Sequence, residues 1–348
     1  MQFRELNNEQ RRFLIDTQQT YDALRTTQRN FQLSYKGSMR WKKVKGKDYL
    51  YRLIDRRHSS LGPRSPETEK LKDQYTTARR RLRDRKNSLK KRLEERAPIL
   101  RGLGLGRLDS IPARILRLLD EQNLLGKSLT VVGTNALFAY EMLVGVHFET
   151  DLLTTEDADL LWDMRRGLGV AGSDFNNKGL IGLLRKVDPS FEIQGKMSCR
   201  AFNKDGYYVD LIVPENNQFL MSKDDRMVPS VEDLYGAPIK GLDWLINSPK
   251  IEAVLIDTKG FPVFMSCVDP RVFALHKLWM SKREDRDPFK KNRDRDQALS
   301  VAALVNTYLP SKFTDKDLNA LPKEVLNLRN ELNIKGTGYL ETSEKDGW

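Results

Sequence analysis

Residues 154–161 read Thr154-Thr155-Glu156-Asp157-Ala158-Asp159-Leu160-Leu161. Asp157 and Asp159 are one residue apart, and on a strand the side chains at i and i+2 share a face. Ala158 and Leu160 then alternate towards a core. Two carboxylates side by side repel each other unless a cation lies between them. Mg²⁺ suits that place, because it takes hard oxygen ligands and commonly binds through one or two carboxylates plus substrate phosphates. A solvated acidic turn reads the same way in isolation, so the flanking sequence has to decide.

Upstream stand Leu129-Thr130-Val131-Val132-Gly133-Thr134-Asn135-Ala136. An apolar strand runs into a glycine, a hydroxyl residue and then a helical stretch. Such a turn presents backbone N–H groups and a helix N-terminus to a phosphate. Glycine allows the backbone close to a ligand, and Thr134 adds a hydroxyl. An ordinary tight turn is the plainer reading. Downstream, Arg200-Ala201-Phe202-Asn203-Lys204-Asp205-Gly206-Tyr207-Tyr208-Val209-Asp210 has a hairpin signal at Asp205-Gly206. Asp210 falls in mid-strand among apolar residues, where a carboxylate needs a partner. A metal and a neighbouring Arg or Lys both remain open.

Charge is unevenly spread. Residues 1–100 hold 27 Lys or Arg against 12 Asp or Glu, a balance of +15, while the whole 348-residue chain carries +12. The basic excess therefore belongs to the N-terminal third, as expected of a surface that docks on polyanions such as nucleic acid. At 39% hydrophobic and 31% charged residues, part of the chain must be a solvated extension. Cys199 and Cys267 form neither a disulfide framework nor a zinc spacing. The start of the chain is polar, and the most apolar stretch, Leu129 to Val146, is interrupted by Gly133, Asn135, Glu141 and Gly145. These features predict a cytoplasmic protein with no membrane partner.

The spacing predicts a helix over 5–30. A basic β-hairpin follows over 39–54 around Lys45-Gly46-Lys47-Asp48, then a loop from Ser59 to Pro66. A long basic helix opens at Pro66 and ends near Arg96, ahead of Pro98. Next come a helix at 111–119 capped by Gly126, alternating strands and helices to about 268 with an extra strand over 146–152, helices from Asp269 to Tyr308, and a loose tail from Lys335. The expected divisions are an extension (1–106), a compact domain (107–268) and a C-terminal helical region (269–348). In the hairpin, Arg40, Trp41, Lys42, Lys43, Lys45 and Lys47 interleave an aromatic ring with cations. That pattern suits base stacking with phosphate contact, and equally suits plain hairpin packing.

Glycine turn, paired aspartates and hairpin aspartate, in that chain order, resemble the signature of the DNA polymerase beta superfamily of nucleotidyltransferases. Gly133-Thr134 stands where Gly-Gly or Gly-Ser is usual. Gly37-Ser-Met-Arg-Trp-Lys-Lys-Val-Lys-Gly46, Ser60-Leu-Gly-Pro-Arg-Ser65, Thr155-Glu-Asp-Ala-Asp-Leu-Leu161 and Asp269-Pro-Arg-Val-Phe-Ala-Leu-His-Lys277 narrow the likeness. They look like a bacterial family of nucleotidyltransferase-fold proteins with the same basic extension and an undefined substrate.

The resemblance implies an α+β fold, with a mixed sheet flanked by helices, a basic helix–hairpin–helix extension and C-terminal helices. It implies that Asp157, Asp159 and Asp210 hold two Mg²⁺ ions, with Mn²⁺ as a substitute, and that Gly133, Thr134 and Asn135 meet the triphosphate of an NTP. A cation on the following helix, Lys277 first and Lys290 or Arg293 after it, would neutralise the leaving pyrophosphate. His276 reads as structural or surface and not as a metal ligand. RNA, tRNA-like, is the expected acceptor of the nucleotidyl group, and nucleotidyltransferase toxins offer an analogy at the level of fold. A protein or small-molecule acceptor, a non-catalytic nucleic-acid binder on the same scaffold, and a coiled-coil interaction module at 66–97 are the alternatives.

Overall fold

The computed structural model describes residues 2–54, 57–166, 173–195, 198–215, 233–319 and 321–340. The fold is mixed α+β. The chain divides into two compact units. One comprises Met1–Arg11, Leu105–Lys259 and Val263–Trp348, and the other comprises Arg12–Gly104 with Gly260–Pro262.

The chain begins with β1 (Gln2–Glu5) and α1 (Asn8–Ser34). Asn7 and Gln10 cap α1 reciprocally, each side chain accepting the other's backbone N–H at 2.9 Å. In the unit of residues 12–104, β2 (Ser38–Val44), β3 (Lys47–Ile54) and β4 (Arg57–Pro63) form an antiparallel sheet, and α2 (Pro66–Gly102) follows. The hairpin is therefore extended by a third strand where a loop is expected. Ser59 and Ser60 have little strand propensity of their own, but they pair with Arg52 and Tyr51 past a bulge at Leu61 of β4.

The helix α2 opens with a capping box at Ser65 and Thr68 and runs through Pro98 to Gly102. Proline removes one helical hydrogen bond at a cost of about 3 kcal/mol or more. Leu93, Ala97 and Leu100 are all buried and continue one stripe across it. Burying each leucine returns roughly 1.5–3 kcal/mol, so packing overrides the expected stop. Tyr75, buried on the same helix, donates to the carbonyls of Tyr35 and Lys36 at 3.1 and 3.2 Å.

In the other unit, α3 (Ser110–Glu121) leads to β5 (Leu129–Val132), α4 (Ala136–Val144), β6 (Val146–His147), α5 (Thr150–Leu153), β7 (Asp157–Trp162) and α6 (Ser173–Val187). Next come β8 (Glu192–Ile193), β9 (Arg200–Phe202), β10 (Tyr208–Pro214), β11 (Ala237–Ile239), α7 (Leu242–Asn247), β12 (Lys250–Ile256) and β13 (Pro262–Val268). The chain closes with α8 (Pro270–Lys282), α9 (Pro288–Tyr308), α10 (Lys323–Leu326) and β14 (Thr337–Leu340). The main sheet has the order β12-β13-β5-β7-β10-β9-β8, with β11 also on β10. Parallel pairs (β13–β5, β7–β10) alternate with antiparallel ones (β5–β7, β10–β9). Val131, Leu160, Val209, Leu211, Met265 and Cys267 are buried in it.

Three local expectations give way. The helix α3 stops at Glu121, short of Gly126, because Asn123 takes a left-handed turn (φ 57°). The strand expected over 146–152 is only Val146–His147, since the Phe148 N–H goes to the Glu141 carboxylate at 2.7 Å instead of a ladder partner. Part of the expected loose tail is a strand: β14 pairs in parallel with β1, which also pairs with β6. Residues 341–348 of that tail lie outside the described residues. Among the described residues, no helix is long and apolar enough to cross a membrane.

Candidate active site

The central strands β5, β7 and β10 bring the sequence candidates together. In the parallel register of β7 and β10, Asp159 stands beside Asp210, and Asp157 beside Tyr208. Asp157 and Asp159 share one face by strand alternation, while Ala158 and Leu160 between and beyond them are buried. Asp159 is also paired with Val132 at the end of β5. The chain leaves β5 through Gly133 with φ 68°, and a Cβ there would collide with the Asp159 carboxylate. Glycine thus serves two needs at this point, a left-handed backbone and room for a carboxylate.

The three carboxylates differ in their company. Asp157 accepts from the Thr155 hydroxyl. Asp210 is gripped by Arg200, which stands directly across the β9–β10 hairpin and donates through Nε at 2.7 Å and Nη2 at 2.5 Å. Asp159 accepts no hydrogen bond and joins no ion pair among the described residues. Burial, and next the charges of Asp157 and Asp210, push its carboxyl up to about 7, while Lys277 and Arg200 pull it down more weakly. A carboxylate held without a partner beside two others favours a cation nearby. All three groups are hard oxygen donors, which fits Mg²⁺ or Mn²⁺. With Asp210 turned to Arg200, no group of three His, Cys, Asp or Glu side chains among the described residues converges on one point. Asp157 and Asp159, which share one face of β7, are the pair that could hold a metal.

The residues after Gly133 are tied into the protein. The Thr134 hydroxyl accepts from Gln297 Nε2 at 3.2 Å and from Arg293 Nη2 at 3.4 Å. Arg293 also donates to the Thr154 carbonyl, and Gln297 to that of Leu152 at 3.0 Å. Asn135 is buried and donates its amide to the Asp157 carbonyl at 2.6 Å. Its work is to fix the first residue of β7, and its side chain is not presented to a ligand. Lys277 donates to Asp294 at 2.7 Å, and Arg286 donates to the other oxygen of the same carboxylate at 2.8 Å. Lys290 is exposed.

Asp159, Gly133, Lys277, Arg286 and Asp294 line a common solvent-open pocket. Its remaining walls are largely apolar and include Ile212, Ile239, Leu242, Leu245, Phe273 and Met280. His276 lines it too, packed against Trp244 and Trp279 at ring distances of 5.1 and 6.0 Å. This histidine is therefore a packed residue of the pocket wall, and its surface alternative is set aside.

Sequence reading left Arg200, Asp294, Arg286 and Gln297 without named roles. Arg200 was within reach of register counting, since a hairpin centred on Asp205-Gly206 brings position 200 opposite 210. Asp294 and Gln297 sit in a run of alternating charge on α9 that carries no local signal of burial.

In the unit of residues 12–104, the hairpin candidates separate by face. Arg40 and Lys42 pair with Tyr51 and Tyr49, and Arg40, Lys42, Lys43, Lys45 and Lys47 are exposed. Trp41 lies on the alternate face, paired with buried Leu50. Its ring is flanked by Arg64 at 5.3 Å and Lys72 at 5.6 Å, so the chain's own cations occupy the faces that a base would need.

Comparison with known proteins adds one finding. A family model described as nucleotidyltransferase matches residues 111–322, more than half of the chain. No curated protein and no solved structure matches.

Proposed function

The chain belongs to that nucleotidyltransferase family and is a nucleotidyltransferase, and from this premise we propose that it transfers a nucleotidyl group from an NTP to a hydroxyl of an RNA acceptor. One observation carries the assignment of the site: Asp159, without a partner, lies between Asp157 and Asp210 and against Gly133. The order of glycine turn, paired aspartates and hairpin aspartate supports a polymerase beta-type catalytic core.

Asp157 and Asp159 are the ligands assigned to divalent metal, Mg²⁺ or Mn²⁺. Asp210 would join them if Arg200, whose side chain is 40% exposed, turned away from it. A bound divalent cation supplies charge neutralisation to the phosphates and lowers the pKa of the attacking hydroxyl. The acceptor oxygen bonds to the α-phosphorus, the bond from that phosphorus to the β-bridging oxygen breaks, pyrophosphate leaves, and the acceptor proton passes to solvent. Lys277 and Arg286 line the same pocket as Asp159, and there their charge offsets that of the leaving pyrophosphate. Arg293 and Thr134 extend this cationic and hydroxyl edge along the start of α4. Lys290, exposed near the start of α9, is the outermost cation assigned to the triphosphate.

The acceptor is read from the N-terminal third. Its +15 balance and the exposed Arg40, Lys42, Lys43, Lys45 and Lys47 suit a phosphate backbone. The test is to incubate the protein with labelled NTPs, Mg²⁺ and cellular RNA or protein fractions. Labelled RNA formed by the wild type, and none formed by a chain carrying Asp157→Ala and Asp159→Ala, supports the reading. Equal turnover by both removes these aspartates from catalysis, and label in protein moves the acceptor to another class.

A further inference from the structure

The sheet β2-β3-β4 turns one face to α2 and leaves the other open. Strand alternation puts Trp41, Leu50 and Arg52 on the first face. There Leu50 is fully buried, Lys72 of α2 lies over the Trp41 ring at 5.6 Å, and Arg52 lies over the ring of Tyr75, also on α2, at 5.7 Å. The second face carries Tyr49 and Tyr51 of β3, with Lys42 and Arg40 paired to them on β2 and Ser60 paired to Tyr51 on β4. Lys47 and His58 fall on the same face by alternation. Arg40, Lys42, Lys47, His58 and Ser60 are exposed, and the two tyrosines are half-buried among them.

This face carries cations and no acid. Asp48 is the single acidic residue within the three strands, and it falls on the face towards α2, paired with Arg64 at 3.5 Å. The rings are also less occupied than that of Trp41. Among the described residues Lys42 is the one cation over Tyr51, at 5.6 Å, and none lies over Tyr49. Residues i and i+2 of a strand stand about 7 Å apart, so each ring has room for a base of its own.

We propose that Tyr49 and Tyr51 form a stacking platform for two unpaired bases of the acceptor, with Arg40, Lys42 and Lys47 against its phosphates, so that the acceptor is taken as single-stranded RNA. This rests on the reading of RNA as the acceptor and names the form in which it binds. Aromatic rings on a cationic surface suit a single strand, because the rings take bases and the cations take the backbone. A duplex keeps its bases stacked on one another and offers such rings nothing.

The test is anisotropy titration of the full chain, at about 0.15 M salt, with a labelled unpaired RNA, the same strand annealed to its complement, and an abasic strand of equal length. A labelled-NTP transfer assay on the unpaired RNA runs in parallel. The wild type is expected to bind the unpaired RNA about tenfold or more tighter than the duplex or the abasic strand. Tyr49→Leu with Tyr51→Leu should lose that advantage and keep both the affinity for the abasic strand and the slope of log affinity against log salt, since no phosphate contact is removed. Tyr49→Phe with Tyr51→Phe, which retains the flat rings, should stay within about twofold of wild type. The proposal is overturned if the leucine pair binds the unpaired RNA as tightly as wild type, if the phenylalanine pair is as weak as the leucine pair, or if wild type binds the duplex as tightly as the single strand. Label on RNA alongside any of these three results overturns the platform alone. A wild type that neither binds nor labels RNA overturns the RNA-acceptor reading together with it.

Discussion

The Asp159 carboxylate occupies the volume that a Cβ on Gly133 would fill. A turn that the sequence presents as a cradle for phosphate is thus, in the folded chain, also the wall of a carboxylate site. Gly133→Ala meets two penalties, the collision and a φ of 68°. A strained left-handed backbone at a non-glycine residue costs roughly 1–3 kcal/mol. The expected outcome is an unfolding free energy lower by at least about 1 kcal/mol together with a loss of NTP turnover exceeding that caused by Thr134→Ala. Urea unfolding and labelled-NTP assays read the two effects separately. A Gly133→Ala chain with wild-type stability and turnover removes the close approach from the account.

How much of this could be read from the chain depends on the range of each signal. The i, i+2 spacing of Asp157 and Asp159 and the Asp205-Gly206 turn are local, and they led directly to the shared face and the hairpin. The pairing of Asp159 with Asp210 joins strands 51 residues apart, and only the chain order hinted at it. The Lys277–Asp294–Arg286 cluster was invisible because α9 reads as a solvated charged helix until packing against α8 buries Asp294. The third strand at Arg57–Pro63 and the helix through Pro98 depart from the sequence expectation because propensity and proline rules describe the isolated segment, whereas pairing with β3 decides the strand and burial of Leu93, Ala97 and Leu100 the helix.

Arg200 neutralises Asp210 in this structure. Replacing it by glutamine leaves three neighbouring carboxylates with one fewer counter-charge, and the loss of a partner to a buried acid destabilises by about 1–3 kcal/mol. Arg200→Gln is expected to melt earlier than wild type in EDTA and to regain most of the difference when Mn²⁺ or Mg²⁺ is added. Metal-insensitive melting of the variant would show that Asp210 does not face a cation site.

His147 and His276 both contribute to the acid side of the stability curve. His147 accepts from Arg4 through Nδ1 at 2.6 Å, and its Nε2 has no partner. Burial, then the charges of Arg107 and Arg4, hold it down to about 3, and His276, with Lys277, Arg283, Arg286 and Asp294 nearby, is held at the same level. Between about pH 6.5 and pH 3 the unfolded chain takes up protons at these rings and the folded chain does not. Their contribution to stability is therefore present above pH 6.5 and is lost as pH falls, by up to about 1.4 kcal/mol per pH unit for each ring. Wild type minus His147→Gln, followed by urea unfolding at several values from pH 7.5 to 4.5, should shrink with acidification. A difference that stays constant with pH excludes His147 as a source of the acid loss.

Trp41 and the cations of the outer hairpin face should part company in RNA binding. Arg64 and Lys72 flank the Trp41 ring, each such contact being worth about 0.5–1 kcal/mol at exposed sites. Trp41→Ala should accordingly cost about 1–3 kcal/mol of stability once lost packing is added, and should change RNA affinity less than about twofold. Arg40→Gln with Lys42→Gln should do the reverse, leaving the unfolding midpoint nearly unchanged. It should weaken binding to single-stranded RNA and reduce the slope of log affinity against log salt by about 1.4, the share of two phosphate contacts. Anisotropy titrations of a labelled RNA over a range of salt concentrations measure that slope. If Trp41→Ala abolishes binding while the doubly substituted chain keeps the wild-type slope, the ring is the contact surface and the cations are bystanders.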